Sequence, residues 1–325
     1  MASKAINVTK GLDGLRLLAP GGVLSVGNFD GLHLGHRRII ETAKRLRDPG
    51  ARLAIVTFEP HPLTVLRPDL APPRLTPAEK KHELLAEAGV DDLVELPPDP
   101  EVLNLTAEAF WEILRDEVRP THVVEGTSFN FGKGRGGTID KLRDWAADSP
   151  VKLEVIEGVS VALCDLTVVE VSSSLVRWLV AHGRARDASI CLGRAYAIRG
   201  EVVKGHQRGR TIGIPTANLR VTDQLVPPDG VYAGRVTVGG KTYAAAVSIG
   251  TMPTFGENAR QVEAYLIGFD GDLYGRTLEV ELVDWVREQW KFTSIDALKA
   301  QMRRDIAYAV ERADGRVDQP ITKIA

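Results

Sequence analysis

Short apolar runs alternate with amphipathic stretches over the first half of the chain. The runs Val23–Val26, Arg52–Phe58 and Asp92–Leu96 predict buried strands, and Glu79–Ala88 has the spacing of a helix that Gly89 would end. Strands alternating with helices predict a parallel sheet that helices cover on both faces. The same pattern predicts further strands at Thr121–Val124 and Lys152–Ile156, and helices that begin after the capping residues Thr106 and Ser172.

The pattern changes after Ala185-Arg186-Asp187, where short apolar runs follow one another with Gly and Pro between them. Gly239-Gly240 is typical of a hairpin turn, and Ile295–Ala309 is amphipathic at helical spacing. Dense short strands without intervening helices predict a closed antiparallel β-barrel with a terminal helix. We therefore predict an α/β protein with a parallel-sheet domain over residues 1–186 and a barrel domain over 187–325. The predicted barrel strands are Ala197–Val203, Gly230–Val238, Thr242–Ile249, Gln261–Ile267 and Thr277–Trp285.

Composition supports two domains and narrows the class of protein. At 325 residues the chain exceeds the size at which one hydrophobic core usually stops growing. A formal charge of −2 argues against a general nucleic-acid surface, and two cysteines provide neither a disulfide framework nor a zinc motif. The N-terminus has no apolar signal core, and no stretch reaches transmembrane length. We expect a cytoplasmic protein that binds no nucleic acid and no membrane, as a monomer or a transient homo-oligomer.

The segment Gly27–His36 lies between a predicted strand and a helical pattern, and it carries His33 and His36 three positions apart. In an open α/β sheet the carboxyl end of a strand is where ligands bind, and the helix that starts there favours phosphate. Two imidazoles add donors that would stabilise the charge developing on a reacting α-phosphate. The structural alternative is a plain strand–glycine–helix junction, in which the histidines only support the turn.

Two further segments carry groups suited to a phosphate-rich ligand. Phe58 and His61 follow the second strand, where they either flank a ligand or belong to a turn in which prolines stop the strand. Gly126–Gly137 follows a later strand, where it is either only a flexible glycine-rich loop or a segment that binds phosphate through the cations Lys133 and Arg135.

Hydroxyl groups open the last predicted helix of this half. Ser173 and Ser174 stand at its start, and Arg177 lies one turn on, on the same face as Ser174. Serines at a helix start are usually caps, whereas the added guanidinium gives a phosphate a partner that capping does not need.

A cluster of glycine, arginine and small polar residues opens the barrel half. Its glycines allow close backbone approach to phosphate, its arginines add charge, and a hydroxyl and an amide two residues apart point the same way on an extended chain. Hard oxygen ligands of this kind suit Mg²⁺ beside nucleotide phosphates. The alternative is a simple proline turn. The residues are Gly205, Arg208, Arg210, Gly213 and Pro215, with Thr216 and Asn218 as candidate metal ligands.

The string GNFDGLHLGH resembles the HxGH signature of the nucleotidyltransferase superfamily, and its flavin adenylyltransferase branch in particular. The stretch Val171–Arg177 is similar to that branch's ISSTxIR motif, and Arg74-Leu75-Thr76 matches a further segment of the branch. The resemblance implies a Rossmann-like domain in which His33, His36 and Arg177 are catalytic and the two serines contact ATP phosphates.

Gly126–Gly132 resembles the GxDFxFG segment of the same branch, with Ser128 where Asp or Asn is usual. A hydrogen bond to the ligand at that position is then lost or replaced. The binding residues that the resemblance implies are Gly27, Phe29, Asp30, Gly35, Phe58, His61, Ser128, Ser173 and Ser174.

The stretch Gly205–Leu219 strongly resembles the riboflavin kinase signature GxxxGRxxGxPTANL. Val262–Leu266 and Phe269–Gly275 look like that family's VExxLxxFxxDLYG. The glutamate that matches Glu263 is the general base in that family. A carboxylate in the middle of a strand lies either on the wet face or in a site, and alternation alone does not choose between them.

The motifs occur in both halves and in one order, so the chain is identified as a member of the bifunctional prokaryotic riboflavin kinase/FAD synthetase family. The resemblance implies that the barrel phosphorylates riboflavin with ATP and Mg²⁺ to FMN. The sheet domain then joins FMN to the AMP part of a second ATP, which gives FAD and pyrophosphate. One alternative is an inactive site, which leaves a monofunctional riboflavin kinase or a flavin-binding regulator. Aminoacyl-tRNA synthetases also carry HxGH, but the sequence shows neither their lysine-rich second signature nor a basic tRNA-binding domain.

Overall fold

The structure is a computed structural model that describes residues 5–205, 213–251 and 260–313. Arg208 and Arg210 lie outside the described residues, so their proposed contacts stay predictions. Within the described ranges, no helix is long and apolar enough to cross a membrane.

The chain divides into two compact units. The first unit consists of the residues up to Pro72 and of Ala78–Val159, and the second unit consists of Pro73–Pro77 and the chain from Ser160 onward. The proposed division at residues 186/187 falls inside a helix, Ala185–Leu192, most of whose residues are buried. Where the two functional domains meet along the chain stays a prediction.

The first unit alternates strands and helices as the sequence predicts. The pattern does not predict the strand Asn7–Lys10, which is mostly exposed and lacks an apolar run, nor the helix Ile139–Ala147 and several short elements of this unit. The elements are β1 (Asn7–Lys10), α1 (Gly11–Arg16), β2 (Val23–Val26), α2 (Leu34–Leu46), β3 (Leu53–Phe58), α3 (Leu63–Leu66), α4 (Ala78–Ala88), β4 (Asp92–Leu96), α5 (Pro100–Leu103), α6 (Ala107–Glu112), β5 (His122–Gly126), β6 (Asn130–Phe131), β7 (Gly137–Thr138), α7 (Ile139–Ala147) and β8 (Lys152–Ile156).

Strands of the first unit form a parallel sheet in the order β1-β4-β3-β2-β5-β8, and each neighbouring pair runs parallel. This confirms the predicted sheet. Strands β3 and β5 lie on opposite sides of β2, so the winding of the chain reverses between β2 and β5. A ligand crevice is expected at the carboxyl ends of the strands on either side of such a reversal.

Each face of the sheet packs its own core, because successive strand residues point to opposite faces. Val23 belongs to a buried cluster with Ile40 of α2 and Leu85 of α4. Leu24, the next residue, belongs to a second cluster with Trp111 of α6. Both faces are therefore covered, as the continuous apolar character of β2 predicts.

The second unit confirms the predicted antiparallel barrel. Among its described strands the closed order is β11-β12-β15-β14-β13-β16, and Gly239 and Gly240 make the predicted hairpin turn with φ angles of 58° and 81°. The apolar pattern does not reveal β12, because only Ala217 and Leu219 of its residues face the interior. The elements are β9 (Ser160–Ala162), β10 (Val168–Glu170), α8 (Ser173–Ala181), α9 (Ala185–Leu192), β11 (Tyr196–Val203), β12 (Ala217–Arg220), β13 (Gly230–Val238), β14 (Lys241–Thr251), β15 (Arg260–Leu266), β16 (Thr277–Arg287) and α10 (Ile295–Ala313).

Candidate active sites

The loop between β2 and α2 has a backbone that few residues adopt. Phe29, Gly31 and Leu32 have φ angles of 48°, 83° and 39°. For residues other than glycine such angles cost free energy, which the surrounding structure must supply. Phe29 and Leu32 are 1% and 2% exposed and belong to the same buried cluster. Their burial holds the loop in a shape that delivers the chain to α2.

His33 and His36 form a stacked pair at the start of α2. The His36 N–H donates to His33 Nδ1 at 3.3 Å, and the two ring centroids lie 3.7 Å apart. Because Nδ1 accepts, a neutral His33 carries its proton on Nε2. The Phe29 ring centroid lies 4.8 Å from that of His36, so Phe29 supports the pair from the core. The remaining candidates of this loop, Gly27, Asp30 and Gly35, are half-buried.

This geometry is compatible with both the functional and the structural interpretation of the histidines. His33 is the cap of α2, as the structural alternative requires. Its Nε2–H is nevertheless suited to a phosphate oxygen at the helix start, where the helix dipole also favours an anion. The cap role of His33 through Nδ1 is thus compatible with a donor role through Nε2, which stays a prediction.

The end of β3 supports the histidine loop from the neighbouring strand. The Gly27 N–H donates to the Val56 carbonyl at 2.9 Å, and Thr57 Oγ1 donates to the Asn28 carbonyl at 3.1 Å. These bonds fix the first residues of the loop before the backbone turns at Phe29. Sequence reasoning does not single out Thr57, because threonine is ordinary in a strand.

Phe58 is the last residue of β3, and His61 lies on the chain that follows it. Phe58 packs half-buried against the core, and His61 Nδ1 accepts the Leu63 N–H at 3.2 Å. Between them the Glu59 carboxylate pairs with Lys81 Nζ at 2.7 Å, and Lys81 is only 4% exposed. The buried ion pair anchors the segment that carries both candidates. The pattern misses Lys81 because a lysine in an amphipathic helix is usually a solvent residue.

Ser128 lies exposed on the loop after β5. Its carbonyl accepts from the Asn130 side-chain amide at 2.7 Å, which closes a tight local turn. Lys133 and Arg135 are also exposed, on a short turn that follows Gly132. A Cβ at Gly132 would lie 2.5 Å from the Ala107 backbone nitrogen, so glycine is required for this loop to pack.

The serine–arginine motif of the second unit occupies the start of α8. Ser172 is the cap, and its hydroxyl accepts the Leu175 N–H at 3.2 Å. Ser173 is half-buried and Ser174 is exposed in the first turn. Arg177 Nε donates to the Pro73 carbonyl at 2.8 Å. The guanidinium thus holds the start of the Pro73–Pro77 segment, which belongs to the same compact unit.

Strand pairing brings Glu263 and Asn218 together on the barrel. Asn218 of β12 is directly opposite Glu263 of β15, and Ser248 of β14 is opposite Glu263 on the other side. Opposite residues share a face, with Cβ atoms about 4.5–5.5 Å apart. The residues before and after Glu263 on β15, Val262 and Ala264, are fully buried in the barrel. Glu263 therefore lies on the outer face of the barrel, half-buried beside a polar amide.

Gly205 makes room for the Asn218 side chain. A Cβ at Gly205 would lie 2.5 Å from both Cγ and Oδ1 of Asn218. The Asn218 amide therefore fills the space that glycine leaves open, next to Glu263. With Thr216 two residues earlier, the donor set is a hydroxyl and an amide oxygen, which fits Mg²⁺ shared with nucleotide phosphates. Gly213 and Pro215 lie on the segment that leads into β12, and Gly213 has a φ of 81°.

Gln289 is a further residue of this region that sequence reasoning missed. Its Nε2 donates to Ser248 Oγ at 3.1 Å and to the Ile249 carbonyl at 2.8 Å. A Cβ at Gly250 would lie 2.5 Å from the same nitrogen. Gln289 thus covers the strand next to Glu263. No local signal announces it, because the contact joins distant parts of the chain.

Comparisons with known proteins match a different family model to each half of the chain. A family model described as FAD synthetase matches residues 17–173, and one described as riboflavin kinase matches residues 192–312. A crystal structure described as a macrolide-efflux protein from Streptococcus pneumoniae has a TM-score of 0.83 at 27% identity, covering 94% of this chain and 99% of that chain.

Curated relatives match over nearly the whole chain. A bifunctional riboflavin kinase/FMN adenylyltransferase from Escherichia coli (strain K12) is 37% identical over 88% of this chain and 90% of its own. Proteins of the same name from Listeria monocytogenes and Bacillus subtilis are 34% and 33% identical, over 87% and 89% of this chain and 90% and 91% of their own.

The fold and these matches define a transferase with two parts, a parallel-sheet part and a barrel part, of the class that transfers phosphoryl or nucleotidyl groups from ATP. The chain belongs to the bifunctional riboflavin kinase/FMN adenylyltransferase family. The resemblance predicted from its motifs is confirmed.

Proposed function

We propose that this chain makes FAD from riboflavin in two steps, with the barrel as riboflavin kinase and the parallel-sheet part as FMN adenylyltransferase. The observation that carries the proposal is that the two sets of motifs form two different arrangements of side chains. A stacked histidine pair stands at the carboxyl end of β2, and a glutamate–asparagine pair stands on the barrel. The histidine pair suits transfer of the AMP group, and the glutamate–asparagine pair suits transfer of the γ-phosphoryl group.

In the kinase step, Glu263 accepts the proton of the riboflavin 5′-hydroxyl. The hydroxyl oxygen forms a bond to the γ-phosphorus of ATP, the bond to the β-phosphate oxygen breaks, and ADP leaves with FMN as the product. Mg²⁺ held by Thr216 and Asn218 would neutralise charge on the ATP phosphates. Asn218 also orients the carboxylate opposite it, and Gly205, Gly213 and Pro215 shape the backbone that faces the phosphates. Arg208 and Arg210 supply further charge.

In the adenylylation step, a phosphate oxygen of FMN forms a bond to the α-phosphorus of ATP. The bond to the β-phosphate oxygen breaks, and pyrophosphate leaves. The Nε2–H of His33 and the ring of His36 stabilise the charge that develops on the α-phosphate oxygens, with the start of α2 behind them. Ser173, Ser174 and Arg177 bind ATP phosphates, and Phe58 and His61 contact the nucleotide or flavin.

The partners that follow are small molecules: ATP, riboflavin and FMN. We place the reaction in the cytoplasm, where ATP is available, and propose a monomer or transient homo-oligomer without nucleic-acid or membrane partners.

The test is to incubate the chain with riboflavin, ATP and Mg²⁺ and to separate the flavins by HPLC. We expect FMN to appear first and FAD to follow, and FAD to form directly when FMN is supplied. FMN without FAD would indicate an inactive adenylyltransferase, for which the exposed Ser128 is the first residue to examine. Flavin binding without either product would indicate a flavin-binding regulator.

A further inference from the structure

A buried carboxyl group lies between the adjacent strands β2 and β5 of the parallel sheet. The amides of β2 alternate between its neighbours, and those of Val23 and Gly27 donate to carbonyls of the β3 side at 2.9 Å each. The amide of Val26 therefore points toward β5. There it meets no carbonyl of the strand but the side chain of Glu125, whose Oε1 accepts it at 2.7 Å.

The β2–β5 ladder stops at the point where this side chain enters. The two strands pair only at Val23↔His122 and Leu24↔Val123. Continued by two residues, the same register would set Val26 opposite Glu125. β5 itself remains regular on its other side, where it pairs with β8 as far as Gly126. The Glu125 carboxyl group thus replaces one rung of the sheet.

Glu125 is 1% exposed, and burial raises the pKa of its carboxyl well above the usual range. Its hydrogen bond from Val26 opposes that rise without cancelling it. Burial therefore favours the neutral form of the carboxyl group, and glutamine is the closest replacement for that form in shape and charge. A glutamine oxygen still accepts the Val26 amide, whereas leucine or methionine fills a similar volume without an acceptor.

The position of this contact gives it a role at the site. Val26 is the last residue of β2 before the histidine loop, and Glu125 stands one residue before Gly126, where the Ser128 loop begins. The two loops leave the sheet on either side of the reversal in winding, where a ligand crevice is expected. Whatever fixes Val26 to Glu125 fixes the separation of the two loop bases.

We propose that Glu125 is a positioning residue for the FMN adenylyltransferase: its side chain, inserted as a rung between β2 and β5, sets the spacing of the loops that receive ATP. The inference rests on the function proposed above and adds a residue that the motifs do not contain. In this role Glu125 acts through the backbone of Val26 and not by contact with substrate.

The test compares Glu125→Leu and Glu125→Met with Glu125→Gln in the full-length chain. We expect both apolar variants to raise the KM for ATP in FAD formation about tenfold, with a smaller change in kcat, because a buried amide loses its acceptor. Glu125→Gln should stay within about threefold of the wild type, since it keeps that acceptor. Riboflavin phosphorylation by the same preparations should be unchanged.

A matched control is Ser25→Ala, one residue before Val26. Ser25 is fully buried, and within the part of the chain that the structure describes its Oγ has no hydrogen-bond partner. Its removal should leave the KM for ATP unchanged, which separates loss of the rung from disturbance of the strand.

Hydrogen exchange at the Val26 amide gives a second measurement. We expect that amide to exchange faster in both apolar variants and to stay protected in Glu125→Gln. The inference is overturned if the apolar variants keep the wild-type KM for ATP, if Glu125→Gln is damaged as much as they are, or if Val26 stays equally protected in all variants. A wild-type chain that forms no FAD would instead refute the proposed function itself.

Discussion

The histidine site and the glutamate site obtain their geometry in different ways. His33 and His36 follow a loop whose φ angles are positive at Phe29 and Leu32, and buried side chains hold that loop in place. Glu263 and Asn218 stand opposite each other within a strand ladder. The first site therefore depends on supports that surround a loop, whereas the second depends on strand register. We therefore expect the first activity to respond to its supports as well as to its own side chains, and the second to its own side chains and the space between them.

The largest effect is expected at the carboxylate of the barrel. Glu263→Gln removes the proton acceptor, and we expect FMN formation to fall by about a hundredfold to ten-thousandfold. FAD formation from supplied FMN should persist, as measured by HPLC. The control is Glu201→Gln, an exposed β11 carboxylate paired with Arg220 at 2.9 Å, which should affect neither activity. Equal loss of both activities in Glu263→Gln would refute the assignment of two sites.

The histidine pair should show the reverse selectivity. His36→Ala removes one ring of the stack and one donor at the start of α2, and we expect FAD formation to fall about a hundredfold or more. FMN formation from riboflavin should remain. His122→Ala, at the opposite end of the same sheet in β5, is the matched control. A His36→Ala variant that keeps normal FAD formation would leave His33 to act alone and contradict the paired arrangement.

A smaller effect should follow from filling the space beside Asn218. Gly205→Ala places a Cβ where the Asn218 amide now lies, and we expect kcat/KM for riboflavin phosphorylation to fall about tenfold, because a displaced group loses its alignment. Steady-state kinetics with riboflavin as the varied substrate checks this. Gly239→Ala, at a strained hairpin turn away from Asn218, should lower stability and leave this ratio unchanged. Unaltered kinetics in Gly205→Ala would show that the amide position is unimportant.

The smallest effect concerns a support of the histidine loop. Thr57→Val removes the hydrogen bond to the Asn28 carbonyl, and we expect the KM for ATP in FAD formation to rise about threefold. Thr121→Val is a matched control, since its hydroxyl makes the same kind of bond, to the Gly22 carbonyl at 3.1 Å, at the other end of the sheet. If the two variants behave alike, the loop does not depend on its bond to β3.

The sequence predicts the two architectures well because each has a strong local pattern of apolar and polar residues. Continuous apolar runs such as Leu53–Phe58 are typical of buried parallel strands, and the hairpin at Gly239-Gly240 follows from backbone preference alone. Strand β12 is not predicted from the apolar pattern because two of its four residues, Asn218 and Arg220, are polar. It is recognised as a strand by its pairing with β11 and β15. The face on which Glu263 lies could not be derived either, since register is set by partners far along the chain.

The motifs predict the candidate site residues, but they do not contain the residues that hold those candidates in place. Lys81, Thr57, Gln289 and Glu125 each act through a contact with a distant part of the chain. A lysine in a helix and a glutamate at a strand end are read as solvent residues from one sequence. Only packing shows that Lys81 and Glu125 are buried.

The Pro73–Pro77 segment constrains the order in which the chain becomes structured during synthesis. The Arg74 carbonyl accepts from the Leu225 amide at 2.7 Å, and the Leu75 carbonyl accepts from the Gln224 side chain at 3.0 Å. A ribosome has to translate some 150 further codons before those two partners exist. The Pro73–Pro77 segment is therefore synthesised early but makes these two hydrogen bonds late. A gene cut at residue 186 would separate the segment from both of its partners, Gln224 and Leu225.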